Sequence, residues 1–396
     1  MSNNNSKPVR EQKAYSILNG KKVCIILTGT IGSIKGFDLC RELVRLGASV
    51  YFVVSQACRQ LISKQALEWA SCNEVFDSID SRVKYLWLGQ ECDIFVVFAS
   101  ADFISKLSLG ISDDISLLTA SVALSSGKKI LILPLMHKQL FTPIISKRLE
   151  ELASLRVILL KPHEEADKLK VPRISDLVFE IEKGVSEQSL VGKRIVISVG
   201  KTSEKIDDVR VMTNNATGKF GAALAREFCR RGALVNVIAS ECKLELPNSI
   251  TVTEVSGYEQ LRKAIIEKTA GADLYISTVA VCDFKIGSIN VIGSKAHANQ
   301  KKLSSSREYS ISLTPREKLL SVSKASKTIA FSLGEKPKKL QADLTVFLSL
   351  SENEPGSELA SIEFFKGGRK VGKKIKGAKE AISKSVVDFI IRHVLE

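Results

Sequence analysis

One helix opening near the middle of the chain combines residue types that suit an anion. Asn214-Asn215-Ala216-Thr217-Gly218-Lys219 brings together small and hydroxyl side chains, a glycine that lets backbone amides approach a ligand, and a lysine at the positive end of a helix dipole. A phosphate or carboxylate held by Thr217, Gly218 and Lys219 is one reading, and an ordinary helix N-cap is the other. Nearer the start, Thr28-Gly29-Thr30-Ile31-Gly32-Ser33-Ile34-Lys35 is a second run of small residues, joined by Ser55 and by the turn Ala99-Ser100-Ala101-Asp102. Gly29, Thr30, Ile31, Ser55, Ser100 and Ala101 would then border a mononucleotide pocket. Neither a G-x-x-x-x-G-K-[ST] loop nor a G-x-G-x-x-G fingerprint occurs.

These loops need strands and helices to present them, and an internal likeness supplies both. Leu18-Asn19-Gly20-Lys21-Lys22-Val23 resembles Leu190-Val191-Gly192-Lys193-Arg194-Ile195, and Arg41–Ser55 resembles Arg226–Ser240. The offset is 172 at the first pair and 185 at the second, so the second copy carries 13 extra residues between strand and helix, where α/β folds place ligands. Each copy reads as a strand-loop-helix-strand unit whose helix ends at Gly47 or Gly232. Two doubly wound α/β domains follow, Rossmann-like in plan.

Further strands are expected at Ile94–Phe98, Ile130–Leu133, Ile250–Glu254, Leu274–Thr278, Thr328–Phe331, Leu344–Leu348 and Ser361–Phe365. Helices are expected at Asp113–Ser125, Leu140–Ala153, Tyr258–Thr269 and Ala378–Val394. The domain plan is a flexible tail over 1–17, a first domain over 18–162, a polar linker over 163–189 and a second domain over 190–396. Ile286–Ser306 shows neither helical nor strand period and reads as a functional or mobile loop.

Over 396 residues, 44% hydrophobic and 26% charged content describes core-forming domains. Eight cysteines without a C-x-x-C pair read as reduced thiols, and no apolar run approaches the roughly 18 residues of a membrane helix. A cytoplasmic protein without membrane contact is expected. The net charge of +15 admits nucleic acid or anionic small substrates. Its densest part, Lys366–Lys379, has no aromatic to stack on bases and reads as a solvated turn or hairpin, so nucleic acid is not the expected partner.

Together these stretches resemble the bifunctional phosphopantothenoylcysteine decarboxylase/phosphopantothenate–cysteine ligase family of coenzyme A biosynthesis. TGTIGSIK is similar to that family's T-G-[GS]-I-A-x-Y-K flavin loop, KLSLGISDD (Lys106–Asp114) to K-L-A-x-G-x-x-D-D, and LPLMHKQLF (Leu133–Phe141) to A-P-A-M-N-x-x-M-W. Gly200, Thr202, Glu204 and Asp207 fit G-P-T-x-E-x-I-D, with Lys201 and Lys205 replacing its prolines. NNATGKFG resembles N-R-S-S-G-K-M-G, and VAVCDF (Val279–Phe284) resembles A-A-V-A-D-[FY].

The resemblance implies a flavodoxin-like domain for FMN followed by a ligase domain using CTP with Mg2+. Its substrates would be 4′-phosphopantothenate and cysteine, and its assembly homo-oligomeric. Attack of the carboxylate on the α-phosphate of CTP would give an acyl-cytidylate, from which the cysteine amine displaces CMP. Positioning and charge neutralisation are the protein's main tasks in such chemistry. By the same resemblance Asn214 holds the acyl group, Lys302 stabilises the triphosphate, and Asp283 binds CTP and its cation. Thr278, Val279, Phe331, Lys336 and Lys339 complete the nucleotide site. Outside such a motif, lysines are ordinarily solvated and an aspartate at a strand end is a turn residue.

The decarboxylase half departs from its pattern. Tyr85 stands where the family has its base histidine, Asp102 and His137 where it has asparagines, and Phe98 where it has a proline. The cysteine-bearing flap expected after Val157–Leu160 is missing, since no cysteine lies between Cys92 and Cys229. A tyrosine, with an ordinary pKa near ~10 against ~6.5 for histidine, is a poor general base at neutral pH. The expectation is a competent ligase fused to an impaired flavin half. Full bifunctionality with His137 or His163 standing in, a different flavin-dependent oxidation, and a non-enzymatic nucleic-acid-binding module remain as alternatives.

Overall fold

Side chains alternate across a strand, and this decides the architecture. Along β1 (Lys22–Leu27), Val23, Ile25 and Leu27 enter one hydrophobic layer while Cys24 and Ile26 enter the opposite one, all fully buried. A strand apolar on both faces must be covered on both, so helices flank the sheet on either side. The computed structural model describes residues 16–79, 81–292, 302–354 and 356–396. The chain divides into two units, Met1–Glu187 and Gln188–Glu396.

In the first unit β1 leads through α1 (Gly36–Arg45) to β2 (Ser49–Val54), then through α2 (Lys64–Ser71) to β3 (Val75–Phe76). After α3 (Lys84–Glu91) come β4 (Ile94–Ala99), α4 (Ala101–Ser108), α5 (Ile115–Ser125), β5 (Lys129–Pro134), α6 (Pro143–Ser154) and β6 (Ile158–Leu159). The strands lie in the order β3-β2-β1-β4-β5-β6, all parallel. The order reverses between β1 and β4, which leaves a crevice at their C-terminal ends. The hairpin β7 (His163–Glu165) and β8 (Lys168–Lys170) and the helix α7 (Ile174–Val185) finish the unit.

The second unit repeats the plan. It runs β9 (Arg194–Gly200), β10 (Ser203–Lys205), β11 (Val211–Thr213), α8 (Lys219–Arg230), β12 (Leu234–Ser240), β13 (Thr251–Val255), α9 (Gly257–Lys268) and β14 (Leu274–Ser277). There follow β15 (Phe284–Val291), β16 (Tyr309–Pro315), β17 (Lys327–Gly334), β18 (Leu344–Ser349), β19 (Leu359–Lys366), β20 (Arg369–Ala378) and α10 (Lys379–Ile390). Its sheet reads β13-β12-β9-β14-β17-β18-β19-β20, with the last two strands antiparallel. Both units are doubly wound α/β folds, as expected. The 13 additional residues of the second copy form the small hairpin β10–β11 where β9 gives way to α8. The basic run Lys366–Lys379 is the turn and return strand of an edge hairpin up to Ala378, and its last residue, Lys379, opens α10.

Three expectations need correction. Residues 163–189 are not a linker, because α7 lays Leu177, Val178 and Ile181 into the first unit's core. At Gly184 a Cβ would lie 2.2 Å from Ile94 Cδ1, which shows how closely the helix crosses β4. Polarity misled here: an amphipathic helix covering a sheet shows a polar outer face. Second, Ile286–Ser306 is not wholly loop, since β15 pairs with β16 as a two-stranded ribbon. Such a ribbon lacks a buried face to impose alternation, so no period showed; residues 293–301 lie outside those described. Third, the helix expected from Leu140 begins at Pro143, because Thr142 caps it by accepting a bond from Ile145 N. Of the expected tail, residues 1–15 lie outside those described, and Ile17 packs against the core.

Burying Leu177, Val178 and Ile181 is worth about 1.5–3 kcal/mol each, a large share of a net domain stability of about 5–15 kcal/mol. A first unit ended after Glu187 is expected to unfold cooperatively in urea, and one ended after Pro162 to show no cooperative transition. A sharp transition from the shorter chain would remove α7 from the folding unit.

Candidate functional site

In the second unit glycines decide where the backbone can go. At Gly200, with φ +92°, a Cβ would lie 2.0 Å from the Ser240 carbonyl, so the exit from β9 admits no side chain. At Gly221 a Cβ would lie 2.3 Å from Thr278 Oγ1 and 2.4 Å from Val199 Cγ1. The first turn of α8 therefore lies hard against β9 and the end of β14, at the point where strand order reverses.

The loop after β14 is stitched to the loop after β9. Thr278 Oγ1 donates to Ser198 O at 2.8 Å, and Cys282 N donates to Thr202 Oγ1 at 2.7 Å. Ala280 N donates to Gly200 O at 2.9 Å, and Ala280 O accepts from Thr202 N at 3.2 Å. The same carbonyl accepts from Asn214 Nδ2 at 2.9 Å. Asn214 thus ties the helix-opening loop to the strand-end loop with one of its two amide hydrogens.

Between these loops lies a cavity of about 230 Å³. Thr217, Gly218 and Lys219 line it, as do Thr278, Val279 and Phe331, so six of the residues expected from sequence come together. Phe331 meets Phe220 edge-on at a centroid distance of 5.2 Å, closing the apolar side. Asp283, Lys302, Lys336 and Lys339 are not among the lining residues. Asp283 pairs with Lys318 Nζ at 2.7 Å, and the three lysines are exposed. Among the described residues no group of three metal-ligating side chains forms.

Two motif residues act on the surrounding framework. Glu204 pairs with Arg316 Nη2 at 2.7 Å, and that guanidinium stacks over the Tyr258 ring at 4.4 Å. Asp207 accepts from the backbone N–H groups of Leu303 (3.0 Å), Val209 (2.8 Å) and Arg210 (2.6 Å). The Leu303 bond first, then the others and the Arg210 charge, hold its carboxyl below the usual range. Its partner Leu303 follows Lys302, so Asp207 fixes the backbone beside that lysine.

Sequence reasoning missed Lys379 and Asn353, which also line the cavity. Asn353 bridges Ser349 O, Ser361 O and Ser361 N, a framework role that no motif marks. Lys379 was hidden in the basic run; its place as the first residue of the terminal helix was the available signal.

In the first unit, Thr28 Oγ1 donates to Phe98 O at 2.7 Å and accepts from Ser100 N at 2.8 Å, joining the ends of β1 and β4. Ser100 caps α4 and Ser55 caps the turn after β2, so both hydroxyls already serve the backbone. Gly29, Thr30 and Ile31 stand at the crevice with Ile31 72% exposed, an apolar side chain that a flat ring would cover. Tyr85 is half-buried and packs against the core. Asp102 is 73% exposed and pairs with Lys106. His137 Nδ1 lies 3.5 Å from Asp167 Oδ2, on the turn of the β7–β8 hairpin. A hairpin thus follows β6, and it carries no cysteine.

Among the described residues no helix is long and apolar enough to cross a membrane. Six of the eight cysteines are buried.

Residues 11–186 match the family model "Flavoprotein", and residues 190–392 match "DNA/pantothenate metabolism flavoprotein C-terminal domain". The chain is 31% identical over 394 residues to the coenzyme A biosynthesis bifunctional protein CoaBC of Methanocaldococcus jannaschii, with 94% of each chain covered. It is 33% identical over 278 residues to the CoaBC of Thermococcus kodakarensis, with 68% of each covered. A crystal structure of the C-terminal domain of a CoaBC covers 52% of this chain and 96% of its own, at 24% identity and a TM-score of 0.39. The match along nearly the whole length, with one family model over each unit, places this chain in the family of coenzyme A biosynthesis bifunctional proteins, CoaBC.

Proposed function

We propose that the second unit condenses 4′-phosphopantothenate with cysteine using CTP, and that the fused decarboxylase-type first unit is impaired. The observation that carries the ligase reading is the cavity at the strand-order reversal, where Thr217–Lys219, Thr278–Val279 and Phe331 converge beside Asn214. The substrate carboxylate attacks the α-phosphorus of CTP and pyrophosphate leaves. The cysteine amine then attacks the acyl carbon of the cytidylate, loses its proton and expels CMP. Asn214 directs its remaining amide N–H at the acyl oxygen, and the N-terminus of α8 with Lys219 favours the anionic substrate.

On this reading Phe331, Thr278 and Val279 hold the nucleoside. Lys302, Lys336 and Lys339 reach in from exposed loops to the triphosphate, and Asp283, now paired with Lys318, would hold the Mg2+ that neutralises the triphosphate charge. The neighbours of Lys302 stay fixed while Asp207 is ionised. That tether is complete at neutral pH and is lost only as pH falls through the lowered carboxyl pKa.

In the first unit Gly29, Thr30, Ile31, Ser55, Ser100 and Ala101 would hold FMN, which when bound supplies a two-electron oxidant for a thiol. The chain's own residues argue for impairment. Tyr85 is packed inward, Asp102 is paired in solvent, and the hairpin lacks a thiol to move a proton. A second reading, full bifunctionality, is favoured by the His137–Asp167 pair, which sets an imidazole beside a carboxylate that can orient it.

A product assay by mass spectrometry with 4′-phosphopantothenate, cysteine, CTP and magnesium separates the two. Accumulating phosphopantothenoylcysteine is the expected outcome, and release of 4′-phosphopantetheine would establish an active first unit. Asn214→Asp puts a carboxylate oxygen against the Ala280 carbonyl and is expected to lower ligase turnover at least ~100-fold; an undiminished rate would remove Asn214 from the site. Asp207→Ala is expected to speed tryptic cleavage after Lys302 and to raise the KM for CTP, and unchanged cleavage would show that the tether holds nothing.

A further inference from the structure

We propose that Lys379 is the residue that recognises the phosphate group of the acid substrate, sharing it with Lys219. The proposal rests on the ligase reading and names the specificity residue of that site. Lys379 opens the 12-residue helix α10 and lines the same cavity as Thr217, Gly218 and Lys219. Its ammonium donates to the Ser357 carbonyl, which leaves two of its three hydrogens for a ligand. Lys219 takes the neighbouring Glu358 carboxylate as its own partner, and among the described residues Lys379 forms no salt bridge.

Two ammonium groups therefore line one cavity; Glu358 pairs with that of Lys219, and the positive charge of Lys379 is left over. Burial and the adjacent Lys219 charge pull the Lys379 pKa below its ordinary value, with Glu358 acting against them. An anion with more than one negative charge in the cavity would reverse that penalty, and a phosphomonoester fits. The lysines assigned to the triphosphate are exposed and do not line this cavity, which leaves its two lining lysines, Lys219 and Lys379, for the anion of the acid substrate.

Kinetics of the full chain test this. Lys379→Ala is expected to raise the KM for 4′-phosphopantothenate about 10- to 100-fold, with kcat and the KM for CTP nearly unchanged. Lys379→Arg should recover most of the loss. Pantothenate, which lacks the phosphate, should serve wild type and Lys379→Ala equally poorly. A KM for 4′-phosphopantothenate that does not move, or parallel losses with pantothenate and CTP, would overturn the assignment in favour of a structural lysine.

A second measurement needs neither turnover nor a folded variant. Reductive methylation of the wild-type chain, read by mass spectrometry, should show Lys379 protected by 4′-phosphopantothenate and not by pantothenate at the same concentration. Equal labelling with both would refute the proposal. Protection of Lys379 in a chain that makes no condensation product would overturn the ligase reading while leaving the phosphate contact intact.

Discussion

The absence of a side chain at Gly221 is the constraint on which the second unit's site depends. Only a glycine lets α8 approach Val199 and Thr278 to this distance, and the approach sets the height of the helix N-terminus above the sheet. Asn214, in the loop before the helix, then reaches the carbonyl of Ala280, and the Thr278–Asp283 loop is fastened to the exit of β9. Helix, loop and strand end form one rigid mouth. A shift of the helix by one methyl group would be felt at every bond in it, because protein interiors pack without slack.

The two units use one topology with different economies. In the first, a single buried hydroxyl, that of Thr28, joins β1 to β4, and the mouth is left with small residues and an exposed isoleucine. In the second, the inserted hairpin β10–β11 brings Glu204 and Asp207, whose partners lie in the segments around Arg316 and Leu303. The first arrangement suits a flat ligand laid across the strand ends. The second encloses a cavity and anchors long polar loops around it, as a site must that gathers several substrates.

Much of this was legible in the sequence because it is periodic or local. The doubly wound plan followed from the repeated strand-loop-helix-strand unit, and Gly47 and Gly232 take the positive φ that their helix ends required. The cavity-lining opening at Thr217–Lys219 needed only residue types and a helix start. What stayed hidden depends on contacts far apart in the chain. Helix α7 looked like a polar connector, since only its packing reveals which side is covered. Lys379 looked like one of many lysines, because 160 positions separate it from Lys219, beside which it stands. The ribbon β15–β16 imposed no alternation that could be read.

The β7–β8 hairpin is held to the first unit's body by its backbone: Leu169 N donates to Met136 O at 2.9 Å, and Lys138 N donates to Asp167 O at 2.7 Å. Main-chain anchorage ties its position over the turn after β5 to no one exposed side chain, and the His137–Asp167 and Lys138–Glu164 pairs add to it. The first unit therefore keeps a scaffold on which a reactive group can be lost, or restored, without refolding the domain. Chemical change in this half of the molecule is, in evolutionary terms, a reversible edit on a preserved frame.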